Sequence, residues 1–216
     1  MILRSNPYRG ADDIVAQPIP AITYNGERLQ VFGTGLRFGL FGSGKLRFAA
    51  TAGYRIGVYE EDDSRILRGL GDRDDTVMAG LALIWELPAG VNLKAGCEHD
   101  VLDEIGGGSA RISADKSFQF GSARLTPEIG LNWLSSDLSD YDFGVPNSKA
   151  TADRPAYKLD DTFSIEAGIG AFVELSRNWR LVCNMSAEFL EDEVTDSPIV
   201  SDDYVMKGFV ALNYVF

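Results

Sequence analysis

The sequence predicts an all-β fold, an antiparallel up-and-down transmembrane β-barrel of about ten strands. Three observations predict it. Apolar and polar residues alternate with a period of two through most of the chain. The connectors between the alternating segments are short at one end and longer at the other, as in outer-membrane barrels. Aromatic residues stand at the segment ends, where such barrels carry interfacial girdles.

Ten alternating segments can be recognised, and most exceed the about 5–6 residues of an ordinary strand. They lie at 18–25, 27–40, 45–59, 76–87, 91–101, 109–119, 123–134, 161–174, 179–190 and 203–216. All but the first have the about 9–11 residues that a tilted strand needs to cross a bilayer core. The first contains Pro18 and Pro20, which weakens its assignment as a strand.

The connectors divide the chain further. From the second connector onward, each short turn falls at one end of the barrel, and the longer stretches 60–75, 102–108, 135–160 and 191–202 fall at the other. Residues 1–17 are largely polar and show no alternation, so we expect a periplasmic N-terminal segment, a tail or a plug, ahead of a barrel over residues 18–216.

The polar face of the segments carries charges of both signs, interleaved with glycines. These predicted interior charges are Arg47, Arg55, Lys94, Glu98, Arg111, Asp115, Arg124, Glu128, Glu166, Arg180 and Glu188. A soluble barrel such as a lipocalin also alternates, but its apolar face points inward around a ligand. A barrel of about ten strands has an interior largely filled by side chains, so paired charges indicate a plugged barrel and not a wide pore.

Aromatic residues on the apolar face are predicted to form the membrane-interface girdle. They are Trp85, Trp133, Trp179, Tyr214 and Phe216. Trp85 and Trp179 lie beside short turns, and Trp133 lies beside the long stretch 135–160. Core tryptophans of a soluble protein would have no reason to cluster at strand ends.

Composition excludes several classes of protein. With 32 acidic and 20 basic residues the net charge is −12, which argues against nucleic acid as a partner. The sequence contains no apolar run of about 18 residues, so no transmembrane helix is predicted. The first residues contain no apolar stretch of about 7–15 residues that would predict a signal peptide, so we expect either a cytosolic protein or one whose signal has been removed. The barrel pattern favours the second, and we expect an outer membrane.

Candidate chemistry is sparse, and the sequence predicts no enzyme, no cofactor and no metal centre. The single histidine, His99, lies on the lipid-facing parity without a recognisable nucleophile. Cys97 and Cys183 lie on the fifth and ninth segments, which cannot be neighbours, so free thiols are predicted. Pro127 removes a hydrogen-bond donor from its strand, and a β-bulge is expected there.

Most acidic residues lie in the longer connectors. Clusters such as Glu60 to Asp63 and Glu191 to Glu193 permit two interpretations. They could share Ca²⁺ or Mg²⁺ with lipopolysaccharide phosphates, since hard cations take carboxylate oxygens. The alternative, which we favour, is a solvated acidic surface.

Three stretches resemble one known family. They are Asn-Pro-Tyr-Arg-Gly at 6–10, Pro-Ile-Pro-Ala-Ile-Thr-Tyr at 18–24, and Asp-Ser-Pro-Ile-Val at 196–200, before a last segment ending in Phe216. Together they resemble the MltA-interacting protein (MipA/OmpV) family over essentially the whole chain. The resemblance implies a Gram-negative outer-membrane scaffold between a lytic transglycosylase and a murein synthase. Other members of the family resemble surface antigens or adhesins.

Three functions therefore remain open. The first is a structural scaffold whose periplasmic turns and N-terminal segment dock cell-wall enzymes. The second is a channel in which the charged lumen admits small polar solutes. The third is a surface adhesin or antigen that acts through the long connectors. In each case we expect outer-membrane lipid and lipopolysaccharide to surround the barrel.

Overall fold

The computed structural model describes residues 2–12, 14–17 and 23–214, with side chains for all of them except Ile2, Gln17, Thr23 and Ser43. The strands in this part of the chain are β1 Ile2–Ser5, β2 Ile14–Gln17, β3 Thr23–Asn25, β4 Leu29–Phe32, β5 Gly35–Ser43, β6 Leu46–Arg55, β7 Thr76–Glu86, β8 Val91–Asp100, β9 Gly108–Lys116, β10 Phe118–Phe120, β11 Ala123–Leu134, β12 Thr162–Glu174, β13 Trp179–Leu190 and β14 Tyr204–Tyr214.

All of the strands belong to one antiparallel sheet. From β5 to β14 successive strands pair with each other, except that β9 and β10 both pair with β11. At one end of the sheet β1 pairs with β14 and β2 with β1, and at the other end β4 pairs with β5 and β3 with β4. The two ends approach each other, because the ring of Phe32 on β4 packs against that of Phe209 on β14 at 5.7 Å. Among the described residues β2 and β3 do not pair, so the hydrogen-bonded circle is not complete there.

The predicted fold class is confirmed, with more strands than expected. The segments at 123–134 and 179–190 match β11 and β13, and most others match within a few residues. The fourteen strands exceed the predicted ten for identifiable reasons. The segment 27–40 is a hairpin of β4 and β5 that turns at Gly33, whose φ of 57° suits glycine. The segment 109–119 is divided between β9 and β10, while β1 and β2 lie where no alternation was seen. Of the segment 18–25, only residues 23–25 are among the described residues.

Pro127 interrupts one ladder without producing the expected bulge. On its β12 side the pairing runs unbroken through Pro127 and Ile169. On the other side the pairs stop at Glu128 with Asp115 and resume at Leu125 with Phe118, in an unchanged register. The missing N–H therefore leaves a gap in the pairing instead of an inserted residue. The bulge that does occur lies between Gly39 and Phe41, opposite β6.

The two faces of the sheet differ as the alternation predicts. The large exposed apolar side chains on the long strands share the predicted lipid-facing parity, and they include Leu81, Trp85, Ile112, Ile129, Leu131, Ile165, Ile169, Met185, Val210 and Leu212. Cys97 on β8 and Cys183 on β13 share this parity and are free cysteines, as predicted. Three strands separate them in the sheet, which excludes a disulfide.

The well-buried apolar cluster lies outside the strands, at the end of the sheet where the long connectors meet. The stretches 56–75, 135–161 and 191–203 pack together with residues 6–11, and we call this assembly the cap. Its core consists of Tyr8, Tyr59, Ile66, Leu67, Leu70, Phe143, Val145, Leu159, Val194, Ile199 and Val200. The helices α1 Ser136–Phe143 and α2 Asp192–Thr195 belong to it.

In the described parts of the chain, no helix is both long enough and apolar enough to cross a membrane.

The packing of the cap predicts the effect of a core substitution. Leu67 is fully buried, so Leu67→Ala should destabilise the cap by about 2–5 kcal/mol, through the lost burial and the cavity left behind. Limited proteolysis of the detergent-solubilised protein should then show faster cleavage within 56–75. The control is Leu102→Ala, since Leu102 is 55% exposed in the connector after β8. Equal cleavage rates for the two variants would show that the cap does not depend on this core.

Candidate functional site

Seven charged side chains form a connected network across the interior face of the sheet, and we call it the ion-pair band. It consists of Lys94 on β8, Arg111 and Asp115 on β9, Glu128 on β11, Glu166 on β12, Glu188 on β13 and Lys207 on β14. All seven have the parity that the alternation assigns to the interior. Six of them were predicted as interior charges, and Lys207 on the same polar face completes the set.

Each base in the band bridges two acids. Lys94 Nζ lies 2.6 Å from Asp115 Oδ2 and 3.0 Å from Glu128 Oε2. Arg111 donates to Glu128 at 2.7 Å and to Glu166 at 2.8 Å. Lys207 Nζ lies 2.5 Å from Glu188 and 3.6 Å from Glu166. The chain of contacts therefore crosses six strands, and it neutralises charges in a confined interior, where an unpaired one is costly.

Two uncharged residues that no sequence motif singles out also bind to the band. Asn132 accepts a hydrogen bond from Arg111 at 2.6 Å and donates to Glu188 at 2.9 Å. The Ser164 hydroxyl donates to the same Glu188 oxygen at 2.5 Å. Both residues have interior parity on β11 and β12, and that parity was the available signal, because neither residue carries a charge.

Arg55 connects the sheet to the cap. Its Nη2 atom lies 2.6 Å from Oδ2 of Asp142, which is buried in α1. Burial raises the pKa of the Asp142 carboxyl above its ordinary value, while the Arg55 guanidinium acts to lower it. The contact joins α1 to the end of β6. The sequence could not identify Asp142, because a long connector has no periodicity that reveals its partner.

The other predicted interior charges make no ion pair among the described residues. Arg124 lies over the ring of Phe172, 5.7 Å from its centre. Arg180 stands opposite Asn213 in the ladder, and Arg47 opposite Ile84. Glu98 lines two interior cavities. Of the eleven predicted interior charges, six therefore belong to the ion-pair band. Arg55 binds Asp142 in the cap, and the other four lie outside the band.

The first and third stretches that carry the family resemblance meet in the cap. Tyr8 forms a β-bridge with Val200, the Arg9 N–H donates to the Ile199 carbonyl at 2.8 Å, and the Ser201 N–H donates to the Pro7 carbonyl at 2.8 Å. The ring of Tyr8 packs edge-on against Tyr59 at 4.7 Å, and burial raises the pKa of Tyr59 to about 12. Residues 6–11 therefore lie among the long connectors, at the end of the sheet opposite the short turns. The periplasmic position of residues 1–17 stays a prediction.

Two of the interior cavities adjoin the ion-pair band or the passage beside it. The upper cavity, of about 700 Å³, lies between the cap and the ion-pair band. The lower cavity has a volume of about 730 Å³ and lies where the first and last strands of the sheet approach each other. Gln30 on β4 and Arg37 on β5 line one side of it. Arg180 on β13 and Asn213 on β14 line the other side. Arg37, Thr51 and Glu98 line both cavities. The ion-pair band spans β8 to β14. The two cavities therefore adjoin beside the strands that carry no residue of the band, where Arg37 and Thr51 line both of them.

The aromatic residues occupy both rims of the outer face. Trp179 packs edge-on against Tyr214 at 4.9 Å beside a short turn, and Trp85 is exposed near the Pro88–Gly90 turn. Trp133 lies at the cap end, where its Nε1 donates to Asp161 at 3.3 Å. Phe216 lies outside the described residues. A girdle at the membrane interface stays a prediction for these residues.

His99 and the acidic cluster at 60–63 form hydrogen bonds with the neighbouring backbone. The Nδ1 atom of His99 lies 2.9 Å from the Asp100 carbonyl oxygen. In the acidic cluster at 60–63, Glu61 accepts hydrogen bonds from the N–H groups of Gly69 and Gly71. Within the described residues no group of three or more His, Cys, Asp or Glu side chains is arranged to hold a metal ion.

The ion-pair band predicts the cost of removing a central cation. Arg111→Met leaves Glu128 and Glu166 without the guanidinium that bridges them, so we expect a loss of about 1–3 kcal/mol in the free energy of unfolding. Urea titration of the protein in micelles, followed by tryptophan fluorescence, measures it. Arg47→Met is the matched control, because Arg47 has the same interior parity and no ion pair in the described structure. Equal urea midpoints for the two variants would show that the ion pairs of Arg111 do not stabilise the fold.

Comparison with known proteins assigns the chain to a family. The family model described as MltA-interacting protein MipA matches residues 1–216. The outer membrane protein Omp26La of Vibrio anguillarum is 31% identical over 88% of this chain and 76% of its own length. The putative outer membrane protein YiaT of Escherichia coli strain K12 is 29% identical over 90% and 80%, respectively. The MltA-interacting protein of the same strain is 27% identical over 98% and 86%. With the antiparallel sheet, its apolar outer face and its charged interior, these matches show that the chain belongs to the MipA family of outer-membrane proteins.

Proposed function

We propose that the protein is a non-enzymatic outer-membrane barrel that serves as a scaffold for cell-wall enzymes, with a lytic transglycosylase as its direct partner and a murein synthase as a second. One relative carries the name MltA-interacting protein, which supports the first of these partners. Outer-membrane lipid and lipopolysaccharide surround the apolar outer face. In this orientation the short turns are periplasmic and the cap is external, as is usual for outer-membrane barrels. The proposal therefore places residues 6–11 on the external side and departs from the periplasmic position predicted for residues 1–17.

The observation that carries the proposal is the closed character of the interior. The cap, with its own apolar core, covers one end of the interior, and the ion-pair band lines the interior face from β8 to β14 below it. A barrel closed in this way is better suited to present a fixed surface to partners than to conduct solutes. Its rigidity would hold the docking surface in one arrangement, which lowers the entropy lost on binding.

The docking surface that we propose is formed by the short turns. Because residues 6–11 pack inside the cap, they are not available at the short-turn end. The exposed turn residues include Lys45 between β5 and β6 and Arg177 between β12 and β13. Exposed basic residues at the rim of an interface steer an acidic partner and affect mainly its association rate.

A pull-down experiment tests the scaffold. The protein in mild detergent should retain a lytic transglycosylase, and the double variant Lys45→Glu with Arg177→Glu should reduce the retained amount about tenfold or more, because the rim charge is reversed. The matched control is Lys149→Glu with Lys158→Glu, which reverses two exposed bases in the cap. Loss of retention in the control with none in the turn variant would place the docking surface on the cap instead.

The channel remains the competing function, and conductance separates it from the scaffold. In planar bilayers the protein should give no steady single-channel current, because the cap closes one mouth. A general porin inserted in the same bilayers serves as the positive control. Stable current steps from the folded protein would contradict the closed interior and favour solute transport.

A further inference from the structure

The lower cavity is the feature that the scaffold does not use, and one side of it is a row of polar side chains. Asn25, Gln30, Arg37 and Thr51 are successive ladder partners on β3, β4, β5 and β6, and all four line the cavity. Among the described residues no side chain of this row makes a hydrogen bond or an ion pair, and the Thr51 hydroxyl is buried. The row therefore presents unused N–H and O–H donors to the lumen.

A second guanidinium lies on the other side of the cavity. Arg180 on β13 and its ladder partner Asn213 on β14 line it there, and neither side chain has a partner among the described residues. Arg37 is placed in the same way, because its ladder partner Gln30 is also a carboxamide. The other ladder partner of Arg180 is Glu174 on β12, whose exposed side chain does not line the cavity and makes no ion pair in the described structure. Each side thus offers a guanidinium that can hold a carboxylate through two parallel hydrogen bonds.

The described lining of the lower cavity has an excess of positive charge. Glu98 is the one acid in it, against the two bases Arg37 and Arg180. Glu98 lies in the same ladder row as Arg37, with Thr51 and Gly80 between them. Three strand spacings, about 14 Å, therefore separate the main chains of the two charged residues. Since no ion pair joins them, the Arg37 guanidinium is available to a ligand.

Apolar side chains complete the lining. Phe32, Phe172 and Val182 line both the lower cavity and a third cavity that adjoins it. The described lining of the third cavity contains the base Arg124 and no acid. Across the two cavities three bases therefore face one acid, an excess of two positive charges. The volume of the lower cavity, about 730 Å³, lies in the range of about 300–1,000 Å³ that is typical of small-molecule sites.

We propose that the lower cavity binds a small aliphatic dicarboxylate, with one carboxylate on Arg37 and its polar row and the other on Arg180 and Asn213. Two carboxylates on a short chain pair with both guanidiniums, and their two negative charges equal the positive excess of the lining. The apolar side chains contact the methylene groups between the carboxylates. The ligand enters from the short-turn end, because Arg180 is the second residue of β13. The proposal goes beyond the scaffold, does not depend on it and requires no passage through the cap.

Isothermal titration of the full chain in micelles, in a buffer free of carboxylates and phosphate, tests the proposal with four probes. Succinate carries two carboxylates, monomethyl succinate carries one and succinamide carries none, while sulfate carries two charges on a single centre. We expect succinate to bind at millimolar concentration or below. Each other probe should bind at least about tenfold more weakly, because it loses at least one set of charge-assisted hydrogen bonds. Equal affinity for succinate and either its monomethyl ester or sulfate, or no binding of succinate at millimolar concentration, would overturn the proposal.

Two variants assign the two sides of the cavity. Arg37→Gln and Arg180→Gln should each weaken succinate binding about tenfold and remove its advantage over the monomethyl ester, since a single guanidinium remains. Arg47→Gln is the matched control, because Arg47 has interior parity, makes no ion pair in the described structure and lines neither cavity. An equal loss in the control would show that the general charge of the lumen, and not this site, attracts the dianion.

A third variant tests the charge balance. Glu98→Gln removes the one described acid from the lining, so it should tighten succinate binding about twofold or more through the loss of a repelling charge. Unchanged or weaker binding would contradict the positive excess on which the proposal rests. Heat-modifiable migration in detergent gels verifies that each variant is folded. If a variant does not fold, the comparison of the four probes on the unaltered chain still decides.

Discussion

In hydrocarbon no water is available for backbone hydrogen bonds, so each N–H and C=O group must find its partner within the protein. Most of this structure follows from that requirement. It favours long strands paired along their full length, as β11, β12 and β13 are, and it confines irregular backbone to the connectors. Pairing also sets the side-chain alternation, because successive residues of a strand point to opposite faces. Once one face meets lipid, the charges on the strands can only point inward.

The interior of the sheet buries charged side chains, whereas the cap buries apolar ones. The interior gathers charges that cannot face lipid, and it neutralises them with each other from β8 to β14. The cap has no lipid to cover its apolar residues, so it buries them against each other, with Leu67, Leu159 and Ile199 fully inaccessible. The protein therefore has the burial pattern of a soluble domain at one end and the inverse pattern along its strands. Arg55 and Asp142 join the two regions.

Much of the sheet was predictable, because its signal is local. Periodicity alone located β11 and β13, placed Lys94 and Glu188 inside, and kept Cys97 apart from Cys183. The predictions were wrong or incomplete where the structure depends on turns or on contacts that leave no mark on the local alternation. The turn at Gly33 interrupts no alternation, so the hairpin of β4 and β5 looked like one strand. β1 and β2 are short, and β1 gains its place in the sheet by pairing with β14, at the far end of the chain. The contact of Arg55 with Asp142 joins positions that no spacing rule relates.

One pairing has a consequence for how the chain acquires its structure. Residues 2–4 pair with 207–209, and the Met206 N–H donates to Ser5 Oγ across a separation of 201 residues. Contacts between such distant positions slow folding, because the loop between them must close before they form. This junction also brings Tyr8 to Val200, so the apolar core of the cap requires β14 to be in place. Assembly of the sheet and completion of the cap are therefore a single late event, and a nascent chain that lacks its last strand would expose this core.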